Sequence, residues 1–196
     1  MMMESLILMT LFYLSILFYK KMKKIFLILL IFTFIYPLET VKNLDIEKFM
    51  GKWYVISAIP SFVEKNCINA YDIYTLNEDG TVDIKYYAEK NGKPFKISQK
   101  GTIADTVNNS TWRISFPDYW IPFYTAPYEV IILEPKNYDY MVVGYPGNSF
   151  GWVMARSKIM DQKIYEDIMD RLESDFGYEK NQFKMMIHSD STSNKP

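Results

Sequence analysis

The sequence predicts an all-β domain: an eight-stranded antiparallel up-and-down barrel with a C-terminal α-helix packed outside. Three observations carry this. Apolar and polar residues alternate with period two in successive short segments, as in Val82, Ile84, Tyr86 and Ala88 set against Asp83, Lys85, Tyr87 and Glu89. The segments follow one another through turn residues with no helix between them, Asn77-Glu78-Asp79-Gly80 and Asn91-Gly92-Lys93 being the plainest. After residue 157 the apolar period becomes that of a helix. Sequential hairpins make a meander, and closing it removes both exposed edges.

Residues 1–40 read as a hydrophobic targeting segment. Apolar stretches at 5–19 and 25–38 flank Lys20, Lys21, Lys23 and Lys24, and each is shorter than the roughly 20 residues of a spanning helix. Met22-Lys23-Lys24 followed by Ile25 to Tyr36 has the basic and apolar regions of a signal peptide, which makes the first 21 residues an upstream extension. No small-x-small site and no lipid-accepting Cys follows. Cleavage around 37–43 and retention as a membrane anchor both stay open, so the expected destination is the secretory pathway: secreted, delivered to an extracytoplasmic or vacuolar compartment, or anchored.

The folded domain is expected over 41–188, with strands at about 52–60, 69–76, 81–89, 94–104, 110–116, 127–134, 139–145 and 151–157. In the fourth, Phe95, Ile97, Gln99 and Ile103 alternate with Lys96, Ser98, Lys100 and Thr102; in the fifth, Trp112, Ile114 and Phe116 flank Arg113 and Ser115. Ile164, Ile168 and Leu172 then recur every four residues, and Asp161 as N-cap with Gly177 past the end sets a helix over 162–176. Phe183 to Ile187 adds a short ninth strand, and 189–196 is a polar tail read as disordered.

With residues 1–37 set aside, the chain's 22 basic and 23 acidic residues lose four lysines and one glutamate, leaving a net charge of −4. That argues against nucleic acid as a partner. Cys67 is the only cysteine, so packing and hydrogen bonds alone hold the domain together. Asn108-Asn109-Ser110-Thr111 holds two overlapping glycosylation sequons, which matter only in a host that glycosylates exported chains.

An eight-stranded barrel has an interior just wide enough for side chains or one small ligand. Val55, Ser57, Ile73, Ile84, Tyr86, Ile97, Trp112, Ile114, Tyr128, Val130, Met141 and Met154 are assigned to its inner face. Large apolar groups with a few hydroxyls suit a pocket for an acyl chain, a sterol or a planar tetrapyrrole. The alternative is a closed core of the same residues. The stretch 117–126 crowds Pro117, Tyr119, Trp120, Ile121, Pro122, Phe123 and Tyr124 into one stiff loop. Such a rim either receives a lipid and touches a bilayer or another protomer, or folds back as a cap.

Catalytic chemistry has little to stand on. His188 is the only histidine and lies by the tail, so no Ser-His-Asp or Cys-His arrangement and no zinc cluster is available. No catalytic residue, metal ligand or cofactor is assigned. Cys67, near the mouth, has no histidine nearby to activate its thiol and reads as an ordinary partly buried cysteine. Glu166, Asp167, Asp170, Glu173 and Asp175 lie on the polar side of the helix and read as a solvated face. The twelve methionines, five within the first 22 residues, are packing residues before they are oxidant scavengers.

Three patches remain: Phe49-Met50-Gly51-Lys52-Trp53-Tyr54, Tyr138-Asp139-Tyr140, and Trp152-Val153-Met154-Ala155-Arg156-Ser157. Gly51 permits a tight backbone approach, Trp53 plugs one end of a barrel, and Arg156 across its indole face supplies a cation–π contact of roughly 0.5–2 kcal/mol. With the loop Pro122-Phe123-Tyr124 and Tyr128-Glu129-Val130-Ile131, these patches make residues 44–187 resemble the lipocalin family, and within it the bacterial lipocalin and apolipoprotein D branch. Tyr138 departs from the pattern, standing where many members carry Thr. The resemblance implies that Gly51, Trp53, Asp139, Tyr140 and Arg156 are a structural signature. It also implies an exported protein that binds, transports or sequesters a small hydrophobic ligand such as a fatty acid, lysophospholipid, sterol or haem-like tetrapyrrole. A structural assembly protein that forms a homo-oligomer is the alternative, and a thiol-dependent isomerase acting through Cys67 stays an alternative only through this family resemblance.

Overall fold

A computed structural model describes residues 38–118 and 124–189. The targeting segment up to residue 37, the centre of the aromatic loop (119–123) and the tail from 190 lie outside the described residues. Eight antiparallel strands form a closed barrel: β1 (Gly51–Ile59), β2 (Cys67–Leu76), β3 (Val82–Lys90), β4 (Lys93–Ile103), β5 (Thr111–Ser115), β6 (Ala126–Leu133), β7 (Tyr140–Gly144) and β8 (Gly151–Ala155). Each pairs with the next, and β1 pairs with both β2 and β8, which closes the ring. A short helix α1 (Ile46–Phe49) precedes the barrel, and α2 (Gln162–Ser174) follows it.

The meander forms because the turns are built from residues that accept positive φ. Gly80, Asn91 with Gly92, and Gly147 with Asn148 all occupy that region. Asp161 caps α2 by accepting from the backbone N–H groups of Lys163 and Ile164. Gly177 (φ +70°) turns the chain after α2, which ends two residues before the expected 176.

Period-two alternation divides the apolar residues into two bodies. One fills the barrel, including Val55, Ile84, Trp112, Val130 and Met154. The other lies between the barrel wall and α2, where Ile56, Ile132, Val142 and Val153 meet Ile168, Met169 and Leu172. The polar side of α2 faces water, and its acids are engaged locally: Asp170 and Glu173 pair with Lys180, and Asp175 with Arg171.

Two bulges reset the alternation. In β1 the register shifts between Val55 and Ser57, so Ser57 turns out of the barrel, where its Oγ accepts from the Tyr165 hydroxyl of α2 at 3.0 Å. In β2 the shift falls between Ile68 and Tyr71, around Asn69 at φ +57°. Ala70, Asp72 and Tyr74 consequently face inward, and Ile73 faces outward with Tyr71. The inward assignments of Ser57 and Ile73 are therefore corrected: one extra residue in each strand reverses the parity beyond it.

After α2, a 3₁₀ turn (Lys180–Gln182) leads into β9 (Lys184–Met185), which pairs with Ser57 and Ala58 of β1. The chain continues along the same seam. Met186 donates to the Ile56 carbonyl, Asn69 donates to the Ile187 carbonyl, and the His188 ring bonds the Val55 carbonyl at 2.8 Å. His188, the last residue of the expected domain, is thus seated against β1, edge-on to Tyr54.

Candidate functional site: the barrel interior

One end of the barrel is sealed. Trp53, with no exposed surface, donates its indole N–H to the Phe49 carbonyl at 2.8 Å. The Arg156 guanidinium lies 3.7 Å from the centre of that indole. Its nitrogens donate to the carbonyls of Lys48, Phe49, Lys52 and Tyr138, at 2.9, 3.1, 2.9 and 3.3 Å. A planar fork with five donors suits four converging carbonyls better than an ammonium would. Gly51, at φ +96°, lets β1 start against the Arg156 side chain. Tyr138 is also part of this floor: it holds φ +61°, and its hydroxyl accepts from the Asp45 backbone N–H at 3.0 Å. Asp139 contributes its carbonyl, which accepts from the Arg156 N–H at 2.8 Å. Tyr140 packs on the outer body, toward α2.

Above this plug, aromatic rings stack into a floor. Phe49 meets Trp53, Tyr74 and Trp112 at centroid distances of 5.4, 5.6 and 5.5 Å, and Trp112 stacks on Tyr128 at 5.0 Å and 13°. Gly101 makes the space, since a Cβ there would come within 3.1 Å of the Trp112 ring. Trp112 and Tyr128 are thus as much foundation as wall. Of the twelve residues assigned inward, ten share this one interior: Val55, Ile84, Tyr86, Ile97, Trp112, Ile114, Tyr128, Val130, Met141 and Met154.

The interior also holds polar groups. Tyr74 and Tyr128 bond each other through their hydroxyls at 2.9 Å. Asp72 of β2 stands directly opposite Tyr86 of β3, and the Oδ1 atom of Asp72 and the hydroxyl of Tyr86 both lack nitrogen or oxygen partners. Burial, with a smaller push from the Glu64 charge, raises the Asp72 carboxyl to about 8. Burial is also the main cause that raises the Tyr74, Tyr86 and Tyr128 hydroxyls.

Nearer the other end, Glu64 of the β1–β2 loop accepts from Ser61 and from the Trp152 indole N–H at 2.8 Å. Cys67 is buried at the start of β2, its thiol 3.9 Å from the Val63 carbonyl. At the same end Phe62 is 89 % exposed, and Tyr124 is about half exposed and stacks on Phe116. A separate groove of about 490 Å³ runs by the β3–β4 hairpin, lined by residues that include Asn69, Tyr71, Tyr87, Glu89 and Lys96. None of the twelve assigned residues lines it.

Comparison with known proteins gives a concordant result. Residues 44–188 match the family model described as a lipocalin-like domain. The chain is 29 % identical over 160 residues to temperature-induced lipocalin-1 of Arabidopsis thaliana, covering 79 % of this chain and 84 % of that protein. It is 23 % identical over 131 residues to the outer membrane lipoprotein Blc of Escherichia coli, covering 66 % and 71 %. Among solved structures, insecticyanin of the tobacco hornworm Manduca sexta superposes with a TM-score of 0.65 over 80 % of this chain and 87 % of that one, at 14 % identity, a likeness of fold.

Proposed function

Because this chain belongs to the lipocalin family, we propose that it is an exported carrier whose barrel binds a small hydrophobic molecule, such as a fatty acid, lysophospholipid, sterol or tetrapyrrole, and moves or sequesters it. The observation that carries this reading is the one-ended plug. Trp53 and Arg156 close the barrel below a floor of aromatic rings, and the wall above is walled by Ile84, Ile97, Ile114 and Val130. Burial of ligand surface against that wall supplies the driving force, at roughly 25 cal/mol per Å².

The loop end opposite the plug is the ligand's route. Phe62 and Tyr124 project apolar surface there, which suits a transient landing on a lipid surface. Passage through the secretory pathway follows from the basic and apolar regions ahead of residue 38. Among the described residues, no helix is long and apolar enough to cross a membrane.

Filling the interior tests this reading. Ile97→Trp adds bulk to the middle of the wall at a stability cost of about 1–3 kcal/mol. It is expected to weaken uptake of a fluorescent hydrophobic probe such as N-phenyl-1-naphthylamine at least tenfold, with far-UV circular dichroism unchanged. Tyr87→Ala, on the outer face, is expected to leave uptake as it was. Equal uptake by wild type and Ile97→Trp contradicts binding inside the barrel.

A further inference from the structure

Two polar atoms inside the barrel lack a nitrogen or oxygen partner: Asp72 Oδ1, and the Tyr86 hydroxyl, which has only the weakly bonding Cys67 thiol beside it. Asp72 is 8 % exposed and Tyr86 4 %. They are directly opposed across β2 and β3, opposed side chains on one face stand about 5 Å apart at Cβ, and the Asp72 charge is felt at the Tyr86 hydroxyl. Buried polar groups are nearly always satisfied, and an orphaned pair needs an explanation. Tyr74 and Tyr128 bond each other, and Glu64 accepts from Ser61 and Trp152; Gln99, opposite Ile84 on the inner face of β4, is a further polar side chain of this wall.

We propose that the ligand carries a hydroxyl group held between Asp72 and Tyr86, which makes it a neutral hydroxyl-bearing lipid, a sterol or long-chain alcohol, in preference to an ionised fatty acid. The inference rests on the carrier reading and narrows its ligand class. A hydroxyl donates to Asp72 Oδ1 and accepts from the Tyr86 hydroxyl, satisfying both orphans with one oxygen. A pure hydrocarbon satisfies neither. A carboxylate brings a negative charge into a desolvated interior, on the side of the barrel that holds the Glu64 carboxylate. Cations near either end are committed elsewhere: Arg156 serves the floor carbonyls, and Lys90 donates to the Val63 carbonyl at 2.6 Å. At neutral pH burial keeps the Asp72 carboxyl protonated, so it adds no charge against a neutral guest.

The test is competition at pH 7 on the full chain, displacing N-phenyl-1-naphthylamine with hexadecanol, hexadecanoate or methyl hexadecanoate, each kept below its aggregation limit. Hexadecanol is expected to bind at least ten times more tightly than hexadecanoate. Tyr86→Phe, which removes only a hydroxyl, is expected to weaken hexadecanol about tenfold and the ester far less, and Asp72→Leu to do the same. Probe uptake with hexadecanoate equal to or tighter than hexadecanol overturns the hydroxyl assignment and leaves the carrier reading standing. So does alcohol affinity unchanged in both variants. Failure of the wild type to take up the probe or any of the three compounds overturns both.

Discussion

Arg156→Ala is expected to lower unfolding free energy by about 2–4 kcal/mol while leaving ligand preference unchanged. The side chain donates to four carbonyls and covers the Trp53 indole. Truncation removes a cation–π contact and leaves the part-buried Phe49 and Tyr138 carbonyls without this donor, while those of Lys48 and Lys52 pass to water. Arg156→Lys restores the charge without the fork and recovers less than half of the loss. Urea denaturation measures the first effect and probe competition the second. Normal stability with altered selectivity places Arg156 in the ligand site and contradicts its role as a plug.

Asp72→Asn is expected to stabilise the protein at alkaline pH and to change little in acid. The folded carboxyl titrates near 8 and the unfolded one near 3.8. Between those values the folded state binds the extra proton, so stability falls as pH rises through that window and is constant above it. Burial is the main cause of that shift, and the Glu64 carboxylate on the β1–β2 loop adds a smaller push; the Asp72 charge in turn raises the hydroxyls of Tyr74 on the same strand, Tyr86 on β3 and Tyr128 on β6. Asparagine copies the protonated shape without the ionisation. Wild type and variant should melt alike at pH 4, and the variant should gain several kcal/mol by pH 9. A difference independent of pH shows that Asp72 is ionised throughout.

The barrel was legible in the sequence because its pattern is redundant. Each of β3, β4 and β5 repeats the same alternation, and Asn91-Gly92 and Asp161 fix turn and cap by local chemistry alone. The plug was legible because the patches around Gly51–Trp53, Tyr138–Tyr140 and Arg156 stand in register with the strand pattern and resemble the lipocalin pattern together. The wall failed where a single residue was inserted. In β2 the outward row Tyr71 and Ile73 is as apolar as the true inward row of Ala70, Asp72 and Tyr74, so hydrophobicity favoured the wrong parity. Asn69 was the available signal, since Asn tolerates positive φ and marks bulges more readily than β-branched residues do. Ser57 had no comparable signal, because the β1 bulge involves Val55 and Ile56, which fit a regular strand equally well. The seating of His188 on β1 depends on the 184–189 segment running along a seam 130 residues away in sequence, which no local pattern encodes.

Native mass spectrometry of the protein purified from its own cells, followed by organic extraction of whatever is released, tests the carrier reading most directly. The account predicts a one-to-one complex that releases a hydrophobic molecule bearing a hydroxyl. A protein that arrives empty and takes up neither fatty acid, sterol nor haem in solution contradicts it, and makes the interior a filled core.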